Sequence, residues 1–442
     1  MFKVGQINKK EEVEMFLRIL LAFIFTSCFL LQAKAQTISE PIQGKYIVKF
    51  KDSVGSAQDV AKGLEKNHGA KVEHVYNHAF KGANITVPPG KEKDLAEDPT
   101  VESLTQDFTI SAFVRPAAPG MGSMGGEPTP TPTPVSNQVI PTGIDWVDAE
   151  LNTTNEGSGV TVAVLDTGID LDHPDLMVNV ALSRDFTTDG TGGDDNNKAG
   201  GIKGHGTHVA GVIGALDNNT GVLGVGSQID LVSVKVLDRT GSGSFGWIIA
   251  GLDYVTANSD VIGVANLSLG AVGGTNPSQG FLSASALFRE AVQRAVNVGV
   301  IVVVAAGNES VDVTASNVVP GGYPEAISVS ALDDRNGQQG DDKWASFSNY
   351  GTEVDVIAPG VAILSTANDG GTSSLSGTSF SAPHVAGTVG LYIASNGRPA
   401  NGDAQLLGSV LNAISQPRSP LSGEPADGVT EPACYANGAS LQ

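Results

Sequence analysis

Cysteine, aromatic side chains and positive charge are all scarce in this chain of 442 residues. Aromatic residues make up 6%, and 26 lysines and arginines face 47 aspartates and glutamates, which gives a net charge of −21. A surface of that sign repels phosphate groups, so nucleic acid is excluded as the main partner. The two cysteines are Cys28 and Cys434. Because Cys28 lies in an N-terminal segment that we expect to be removed, neither an internal disulfide nor a cysteine-based zinc site is expected.

The acidic excess is confined to one part of the chain. Residues 1–114 hold 14 basic and 14 acidic residues, so the remainder holds 12 basic and 33 acidic residues. Such a surface favours divalent cations. Apolar residues at 40%, a charged fraction of 17% and 55 glycines are typical of a compact, turn-rich α/β protein and not of a disordered one.

The N-terminus has the pattern of an export signal. Lys9, Lys10 and Arg18 precede the apolar run Ile19–Leu31, and residues 33–35 read Ala-Lys-Ala, which is a cleavage pattern. We therefore expect residues 1–35 to be a signal peptide and the remainder to be secreted, with no membrane attachment after cleavage. A run of 13 residues is short for a spanning helix. A membrane anchor, lipid attachment at Cys28 and a translation start at Met15 remain alternatives.

A small unit is predicted at residues 44–113. The pattern of apolar residues indicates a strand at 44–51, a helix at 54–68, strands at 72–76 and 79–87, a short helix near 92–97 and a strand near 101–110. The order βαββαβ predicts a ferredoxin-like α+β fold.

The composition changes twice after this unit. Residues 114–137 form a linker rich in glycine, proline and threonine, and the proline-rich part at 128–134 cannot join the interior of a sheet. Residues 138–415 are predicted to form one large domain. Residues 416–442 carry proline, glycine, serine and acidic residues with little periodicity, so a flexible tail is expected there.

The region 138–415 alternates strand-length apolar runs with helical stretches. The predicted strands are 160–165, 231–237, 264–269 and 300–305, and the predicted helices are 205–214, 246–259, 283–298 and 379–393. Continuous valine, isoleucine and alanine runs are typical of parallel strands that are buried on both faces. The sequence therefore predicts an α/β domain with a mostly parallel sheet covered by helices on both sides.

Polar residues follow the predicted strands, where parallel sheets gather active residues. Asp166 comes directly after the strand 160–165 in Leu-Asp-Thr-Gly, and an acid there can hold an imidazole in one tautomer. His205 begins a predicted helix in Gly-His-Gly-Thr-His-Val-Ala-Gly. A turn or helix-capping role for Asp166, and a metal pair of His205 with His208, are the alternatives.

Two further residues complete the pattern. Ser379 lies in Ser-Gly-Thr-Ser-Phe-Ser-Ala-Pro-His at the start of a predicted helix, where backbone N–H groups and the helix dipole can hold an oxyanion. Asn308 follows the strand 300–305 in Ala-Ala-Gly-Asn, and its amide can donate to the same oxyanion. Taken singly, Ser379 also fits a plain helix cap and Asn308 a turn residue.

The order Asp, His, Asn, Ser, each in its local motif, resembles the subtilase family of serine proteases. The resemblance covers roughly residues 138–415 and is nearest to the proteinase K-like members, and residues 44–113 resemble the inhibitor-type propeptide of the family. It implies that Ser379 attacks the peptide carbonyl, that His205 transfers the proton and that Asp166 orients His205. It also implies that Asn308 and the Ser379 backbone N–H bind the oxyanion.

The same resemblance implies further roles. The segments containing Ser242, Gly243 and Ser244, and Ser268, Leu269 and Gly270, would flank an extended peptide substrate. With Ala306 and Gly307 they imply a roomy uncharged pocket and cleavage after apolar or aromatic residues, although flexible surface loops are the alternative. A calcium ion, held at Pro320, Gly322 and Asp333, is implied as a structural cofactor. The loop Asp194–Asn197 is a second candidate, and no cofactor is expected for catalysis.

The sequence thus predicts a secreted serine endopeptidase that is made as a zymogen, acts on proteins and peptides, and is monomeric. Its own propeptide would be an intramolecular inhibitor whose segment 108–113 reaches Ser379, with cleavage at about Val114–Gly126. One competing hypothesis is an inactive relative that acts as a binding protein, but every catalytic position is filled. The other is a nucleotide-binding α/β protein, but the phosphate-binding glycine motifs are missing.

Overall fold

The computed structural model describes residues 38–113, 138–195, 204–398, 404–438 and 440–441. The predicted signal peptide at 1–35 and the predicted linker at 114–137 lie outside these ranges. None of the helices in the described ranges is long and apolar enough to cross a membrane.

Residues 41–112 form a small antiparallel sheet with two helices. The elements are β1 Pro41–Phe50, α1 Ala57–His68, β2 Lys71–Tyr76, β3 Gly82–Thr86, α2 Glu92–Ala96 and β4 Val101–Ala112. The strand order is β4-β1-β3-β2, as expected for βαββαβ connectivity. Helix α1 begins where the Ser56 side chain accepts from the Asp59 N–H, and it ends at Gly69 in the left-handed conformation.

The larger region, from residue 138 onward, alternates strands and helices. Its strands are β5 Thr161–Asp166, β6 Arg184–Asp185, β7 Asp230–Lys235, β8 Ser242–Ser244, β9 Ile262–Leu267, β10 Leu269–Val272, β11 Ile301–Ala305, β12 Val318–Val319, β13 Ile327–Asp333, β14 Lys343–Trp344, β15 Val356–Pro359, β16 Ile363–Thr366, β17 Thr372–Leu375, β18 Ser415–Gln416 and β19 Ala433–Cys434. Its helices are α3 Thr142–Trp146, a 3₁₀ helix Ala149–Leu151, α4 His205–Gly214, α5 Phe245–Ala257, α6 Gln279–Asn297, α7 Thr378–Asn396 and α8 Ala404–Ile414.

The main sheet has the order β18-β19-β15-β13-β11-β9-β5-β7-β6, and the pairs from β19 to β6 are parallel. Both faces are buried, as strand β5 illustrates. Val162 and Val164 pack with α4 and α7 on one face, whereas Ala163 and Leu165 pack with α5 and α6 on the other. The predicted doubly covered, mostly parallel α/β sheet is confirmed.

The small sheet lies against α5 and α6 of the larger region. Ile47, Tyr76 and Phe108 belong to the same apolar cluster as Phe245 and Phe281. Polar contacts also cross this surface. The Tyr76 hydroxyl donates to Gly246 O, the Gly246 N–H donates to Asp107 Oδ1, and Lys49 pairs with Glu290.

The last segment differs from the expected flexible tail, because the described residues after 415 pack against the domain. Ala433 pairs with Ile357 at the edge of the main sheet, and Cys434 is buried as a free thiol beside Thr388. Arg418 forms buried ion pairs with Glu424 and Glu431. These short apolar pieces and ion pairs carry no periodic signal, and for that reason the sequence did not reveal them.

Candidate active site

Asp166 and His205 meet at the carboxyl end of the sheet. Asp166 is the last residue of β5 and His205 is the first residue of α4, whose N-cap is Gly204 in the left-handed conformation. The Nδ1 atom of His205 lies 2.7 Å from Asp166 Oδ1, and both side chains are fully buried. The Asp166 carboxylate therefore accepts a hydrogen bond from the Nδ1–H group, and Nε2 is left as the ring nitrogen that can accept a proton.

Ser379 lies in the first turn of α7, which is fully buried here. Its hydroxyl donates to Ser268 O at 2.9 Å, and the Ser268 hydroxyl donates to Ser379 O at 2.7 Å. His205 Nε2 has no hydrogen-bond partner among the described residues. The structure thus joins Asp166 to His205 but holds the serine hydroxyl on Ser268. For catalysis the hydroxyl has to exchange its hydrogen bond to Ser268 O for one to the imidazole.

Asn308 has one defined orientation. Its Oδ1 atom accepts from the Thr378 N–H at 2.9 Å and from the Thr378 hydroxyl at 3.0 Å. Both contacts are donors, so the Nδ2 group must face the other way, and the hydrogen-bond network fixes the amide assignment. Nδ2 donates to the backbone oxygen of Phe113 at 2.6 Å.

Phe113, the residue after β4, lies against Gly377 at the start of α7. The backbone oxygen of Phe113 approaches Gly377 so closely that a Cβ at residue 377, whose φ is 150°, would overlap it. The Phe113 ring lies against Gly270, where a Cβ would overlap the ring. Only glycine leaves room for the carbonyl at one position and for the aromatic side chain at the other.

Two short strands flank this segment. Thr109, Ile110 and Ser111 pair antiparallel with Ser244, Gly243 and Ser242 of β8, and Ser111 and Ala112 pair with Gly270 and Leu269 of β10. The segment is therefore an added strand between two others. Five of the residues that the sequence predicted to bind substrate, Ser242, Gly243, Ser244, Leu269 and Gly270, therefore lie beside an extended chain. The sixth residue of these two segments, Ser268, instead bonds Ser379.

Ala306 and Gly307 continue from β11 toward Asn308. The Ala306 N–H donates to Val329 O, and the Gly307 N–H donates to the Thr378 hydroxyl. Both residues therefore hold the Asn308 loop on β13 and on the start of α7.

The predicted calcium ligands take part in other contacts in this structure. The Pro320 carbonyl accepts from the Tyr323 N–H, and Gly322 donates to Val318 O in the same turn. Asp333 ends β13, where its carboxylate contacts Arg335. No cluster of three or more histidine, cysteine or acidic side chains suited to a metal ion occurs in the described ranges. In the second candidate loop, Asn196 and Asn197 lie outside those ranges.

A different group of polar residues surrounds Asp175, which the sequence analysis missed. The Asp175 carboxylate is buried, accepts from the Asn218 amide and the Val222 N–H, and has its pKa raised by that burial. The Gln138 amide lies 2.6 Å from Leu216 O and 3.2 Å from Val222 O. A carboxylate, two side-chain amides and two backbone carbonyls are the ligand types that Ca²⁺ takes in proteins. The side chains come from distant segments and the backbone carbonyls leave no sequence signal, so no local motif marked the site.

His208 is a structural residue and not a metal ligand. Its Nε2 atom donates to Ile363 O at 3.1 Å and to Ser373 O at 3.0 Å, which ties α4 to the hairpin β16–β17. Burial lowers the pKa of His208 to about 3, so the ring is neutral. The alternative of a metal pair with His205 is therefore not supported.

Comparisons with known proteins bear on this geometry. The sequence profile described as the Subtilase family matches residues 157–413, which include Asp166, His205, Asn308 and Ser379. The chain belongs to the subtilase family. As a subtilase, the protein is a serine-type endopeptidase.

Relatives of this subtilase are similar over most of its length. Subtilisin amylosacchariticus of Bacillus subtilis subsp. amylosacchariticus is 34% identical over 377 residues, which are 84% of this chain and 86% of that protein. The extracellular serine proteinase of Thermus sp. (strain Rt41A) is 35% identical over 80% of this chain and 81% of its own. A solved structure of a cold adapted subtilisin-like serine proteinase has a TM-score of 0.53 and 32% identity, and covers 68% of this chain and 98% of its own.

Proposed function

We propose that this subtilase hydrolyses peptide bonds through a triad of Asp166, His205 and Ser379. The Ser379 hydroxyl attacks the carbonyl carbon while His205 Nε2 accepts its proton, and His205 then delivers that proton to the leaving amine. Water attacks the acyl-enzyme in the second half of the reaction, with the same imidazole as base. Asp166 holds the Nδ1 proton and stabilises the imidazolium. The 2.7 Å contact between His205 and Asp166 supports this assignment.

The oxyanion is held by the Asn308 amide and the Ser379 backbone N–H. The observation that carries the proposal is the Phe113 backbone oxygen, which accepts from Asn308 Nδ2 at 2.6 Å. A donor already locked by Thr378 needs no rearrangement as negative charge develops on that oxygen, which is the condition for strong transition-state stabilisation.

Residues 44–113 act as an inhibitor-type propeptide in this proposal, and the protein is a self-processed zymogen. Phe113 is the residue before the scissile bond, because its carbonyl lies against Asn308 and its ring against Gly270. The bond cut is then Phe113–Val114, at the N-terminal limit of the expected interval 114–126. The aromatic ring of Phe113 also supports a preference for apolar or aromatic residues at this position. Assignment to the proteinase K-like subtype stays a prediction.

Calcium is proposed as a structural cofactor at Asp175. When bound there, the ion would join the loop 216–222 to the start of the larger region, which begins at Gln138. The residues that would hold it are Asp175, Asn218, Gln138 and the carbonyls of Leu216 and Val222. In this structure the Gln138 amide oxygen accepts from the Asn219 N–H and the Asn218 amide oxygen accepts from the Thr220 N–H. To bind an ion, both oxygens would have to leave these donors. The sites proposed from the sequence, at Asp333 and at 194–197, lack comparable support.

Secretion and action as a monomer complete the proposal. The relatives include proteins named extracellular serine proteinase and alkaline serine exoprotease A, of Thermus sp. (strain Rt41A) and Vibrio alginolyticus. One from Paenibacillus polymyxa is named intracellular serine protease, so the proposal for this chain depends on the leader at 1–35.

Self-processing is tested with the precursor of residues 36–442, as wild type and as Ser379→Ala. We expect the wild type to cut itself and yield a new N-terminus at Val114, and the variant to stay uncut with residues 36–113 attached. Once freed of the propeptide, the variant should lose about 10⁶ in kcat on casein, the loss known for the corresponding serine of subtilisin.

A fluorophosphonate probe distinguishes the competing hypothesis of an inactive binding protein. The probe should label Ser379 in the processed wild type. The control variant Ser381→Ala should be labelled to the same extent, because it changes a serine two residues further along α7 and keeps Ser379. Normal processing of the purified Ser379→Ala precursor would contradict self-cleavage. Absence of labelling in the processed wild type would contradict the catalytic assignment itself.

A further inference from the structure

A cavity of about 600 Å³ lies beside the catalytic histidine's helix and has no role in the proposed mechanism. Five carboxylates line it: Asp170, Asp172, Asp194, Asp195 and Asp369. They come from three separate segments, namely the turn after β5, the stretch after β6 and the tip of the hairpin β16–β17. No lysine or arginine is present among its described lining residues.

One of these carboxylates is buried without full compensation. Asp195 is 1% exposed, and its Oδ2 atom accepts from the Thr207 hydroxyl at 2.9 Å. Its Oδ1 atom has no hydrogen-bond partner among the described residues. A buried acceptor left in this state is costly, and a bound cationic donor removes that cost.

The pKa values of the neighbouring carboxyl groups also favour a positively charged ligand. Burial, with the adjacent Asp172 adding repulsion, raises the pKa of Asp170 to about 6. Burial also raises the pKa of Asp195 well above its usual range. Carboxyl groups that are reluctant to ionise beside one another are stabilised as anions by an opposite charge placed between them.

The shape of the cavity favours an organic cation over a metal ion. No arrangement of three or more acidic, histidine or cysteine side chains in the described ranges is close enough to hold a metal. The volume also far exceeds that of one ion. Leu171, Pro174 and Val180 line the cavity as well. A long cationic side chain fits such a place, since its methylene stem packs on apolar groups while its head pairs with carboxylates.

The cavity lies at the start of the helix that carries His205, away from the segment 109–113. Residues 109–113 lie between β8 and β10, and no hydrogen bond or strand pairing links them to the cavity's lining. Asp195 contacts Thr207, two residues beyond His205, and a Cβ on Gly204 would touch Asn368 of the hairpin tip. Two extended residues and an arginine side chain together reach about 13 Å from the scissile bond.

We propose that this cavity binds the side chain of an arginine or lysine that lies two residues beyond the scissile bond of the substrate. The chain's own sequence offers such a residue. Arg115 follows Phe113 by two positions, and it is the one basic residue between 114 and 137. The proposal rests on the proposed endopeptidase function and on cleavage after Phe113.

The test uses the processed enzyme and two peptides that carry phenylalanine before the scissile bond. One has arginine two residues after that bond and the other has citrulline, its neutral isostere, with cleavage after phenylalanine verified by mass spectrometry. We expect kcat/KM to be about fivefold higher for arginine, the upper range for a partly exposed ion pair. In the double variant Asp172→Asn, Asp369→Asn this ratio should fall toward one. Asp341→Asn, an exposed carboxylate outside the cavity, is the matched control and should keep the ratio.

The outcomes separate the two proposals. Equal rates for arginine and citrulline in the wild type overturn the cavity's role while the endopeptidase stands. Hydrolysis of neither peptide, together with no labelling of Ser379, removes both. A calcium-dependent rise in melting temperature that the double variant loses would assign the cavity to a divalent cation and overturn the peptide proposal. Slower self-processing of Arg115→Ala than of Arg115→Lys supports it independently.

Discussion

In the small unit, residues 38–113, helices cover one face of an antiparallel sheet, whereas helices cover both faces of the parallel sheet in the larger unit. The other face of the small sheet is covered by α5 and α6 of the larger unit, where Ile47, Tyr76 and Phe108 join Phe245 and Phe281 in one cluster. The small unit thus completes its core only against its partner. A unit of this size has little core of its own, so its fold and its inhibitory contact are expected to depend on each other.

The separated small unit is the strongest test of that contrast. Residues 38–113 made alone should lack a cooperative thermal transition, because Tyr76 and Phe108 would be exposed to water. The same peptide should inhibit the processed enzyme in trans, since folding and binding then occur together. Near-UV circular dichroism and inhibition of peptide hydrolysis are the measurements. A sharp melting transition of the isolated unit well above room temperature would contradict the dependence.

Removal of one carboxylate should weaken the contact between the units without harming catalysis. Asp253 on α5 accepts the N–H groups of Asn77, His78 and Ala79 at 2.9, 2.5 and 2.7 Å. Asp253→Ala leaves these donors unpaired at the interface. The inhibition constant of the small unit should rise about 50-fold, the effect of losing charged hydrogen bonds worth about 2–3 kcal/mol. Asp260→Ala, an exposed carboxylate beyond the same helix, is the control. An unchanged inhibition constant in Asp253→Ala would mean that the apolar cluster alone sets the affinity.

The larger unit is expected to depend on calcium and not on the small unit. Excess EDTA should lower the melting temperature of the Ser379→Ala enzyme, after an added protease has removed its propeptide, by about 5 °C or more, because an ion bound to the folded state alone stabilises it. Asp175→Asn should have the lower melting temperature already and respond little to EDTA. Asp217→Asn, an exposed carboxylate in the loop 216–222 that is not among the proposed ligands, should respond as the wild type does. Equal EDTA responses in Asp175→Asn and wild type would place any calcium elsewhere.

The smallest expected effect concerns pH and the interior of the larger unit. Burial lowers the pKa of His208 to about 3, whereas an unfolded histidine titrates near about 6.5. Between these values the unfolded state binds one proton more at this site, so His208 makes the protein less stable as pH falls through that window. In the Ser379→Ala background, His208→Gln should therefore flatten the pH dependence of the unfolding free energy by about 1.4 kcal/mol per pH unit. Urea unfolding at several pH values measures this slope. Parallel curves for the two proteins would show that His208 is protonated in both states.

Much of the fold could be predicted because its signals are local and periodic. Helix α4 has the predicted bounds His205–Gly214, and the βαββαβ order of the small unit follows from alternation and turn residues. Strand β13, Ile327–Asp333, was missed although it is central, because serines alternate with its apolar residues. Ser328 and Ser330 are fully buried, and a buried polar residue in a strand imitates an exposed one in sequence.

The site was predicted as a set of residues but not as a geometry. Motifs placed Asp166, His205, Asn308 and Ser379 at strand ends and helix starts. They could not reveal that the serine hydroxyl binds Ser268 O in this structure, because a rotamer depends on what occupies the cleft. The polar residues around Asp175 and the acidic cavity could not be predicted for another reason. Their groups come from distant segments and, at Asp175, include backbone carbonyls that every residue carries.

The pairing of Ala433 with Ile357 also covers an edge of the main sheet. Strand β15 would otherwise present unpaired N–H and C=O groups at the edge of the main sheet, and such edges recruit other chains. The segment after Ser415 covers this edge with β19, and Asn152 fastens it by donating to the carbonyls of Ala436 and Leu441. A chain truncated after Ser415 would therefore keep the proposed triad and yet expose the edge of β15, so we expect it to associate edge to edge more readily than the full chain.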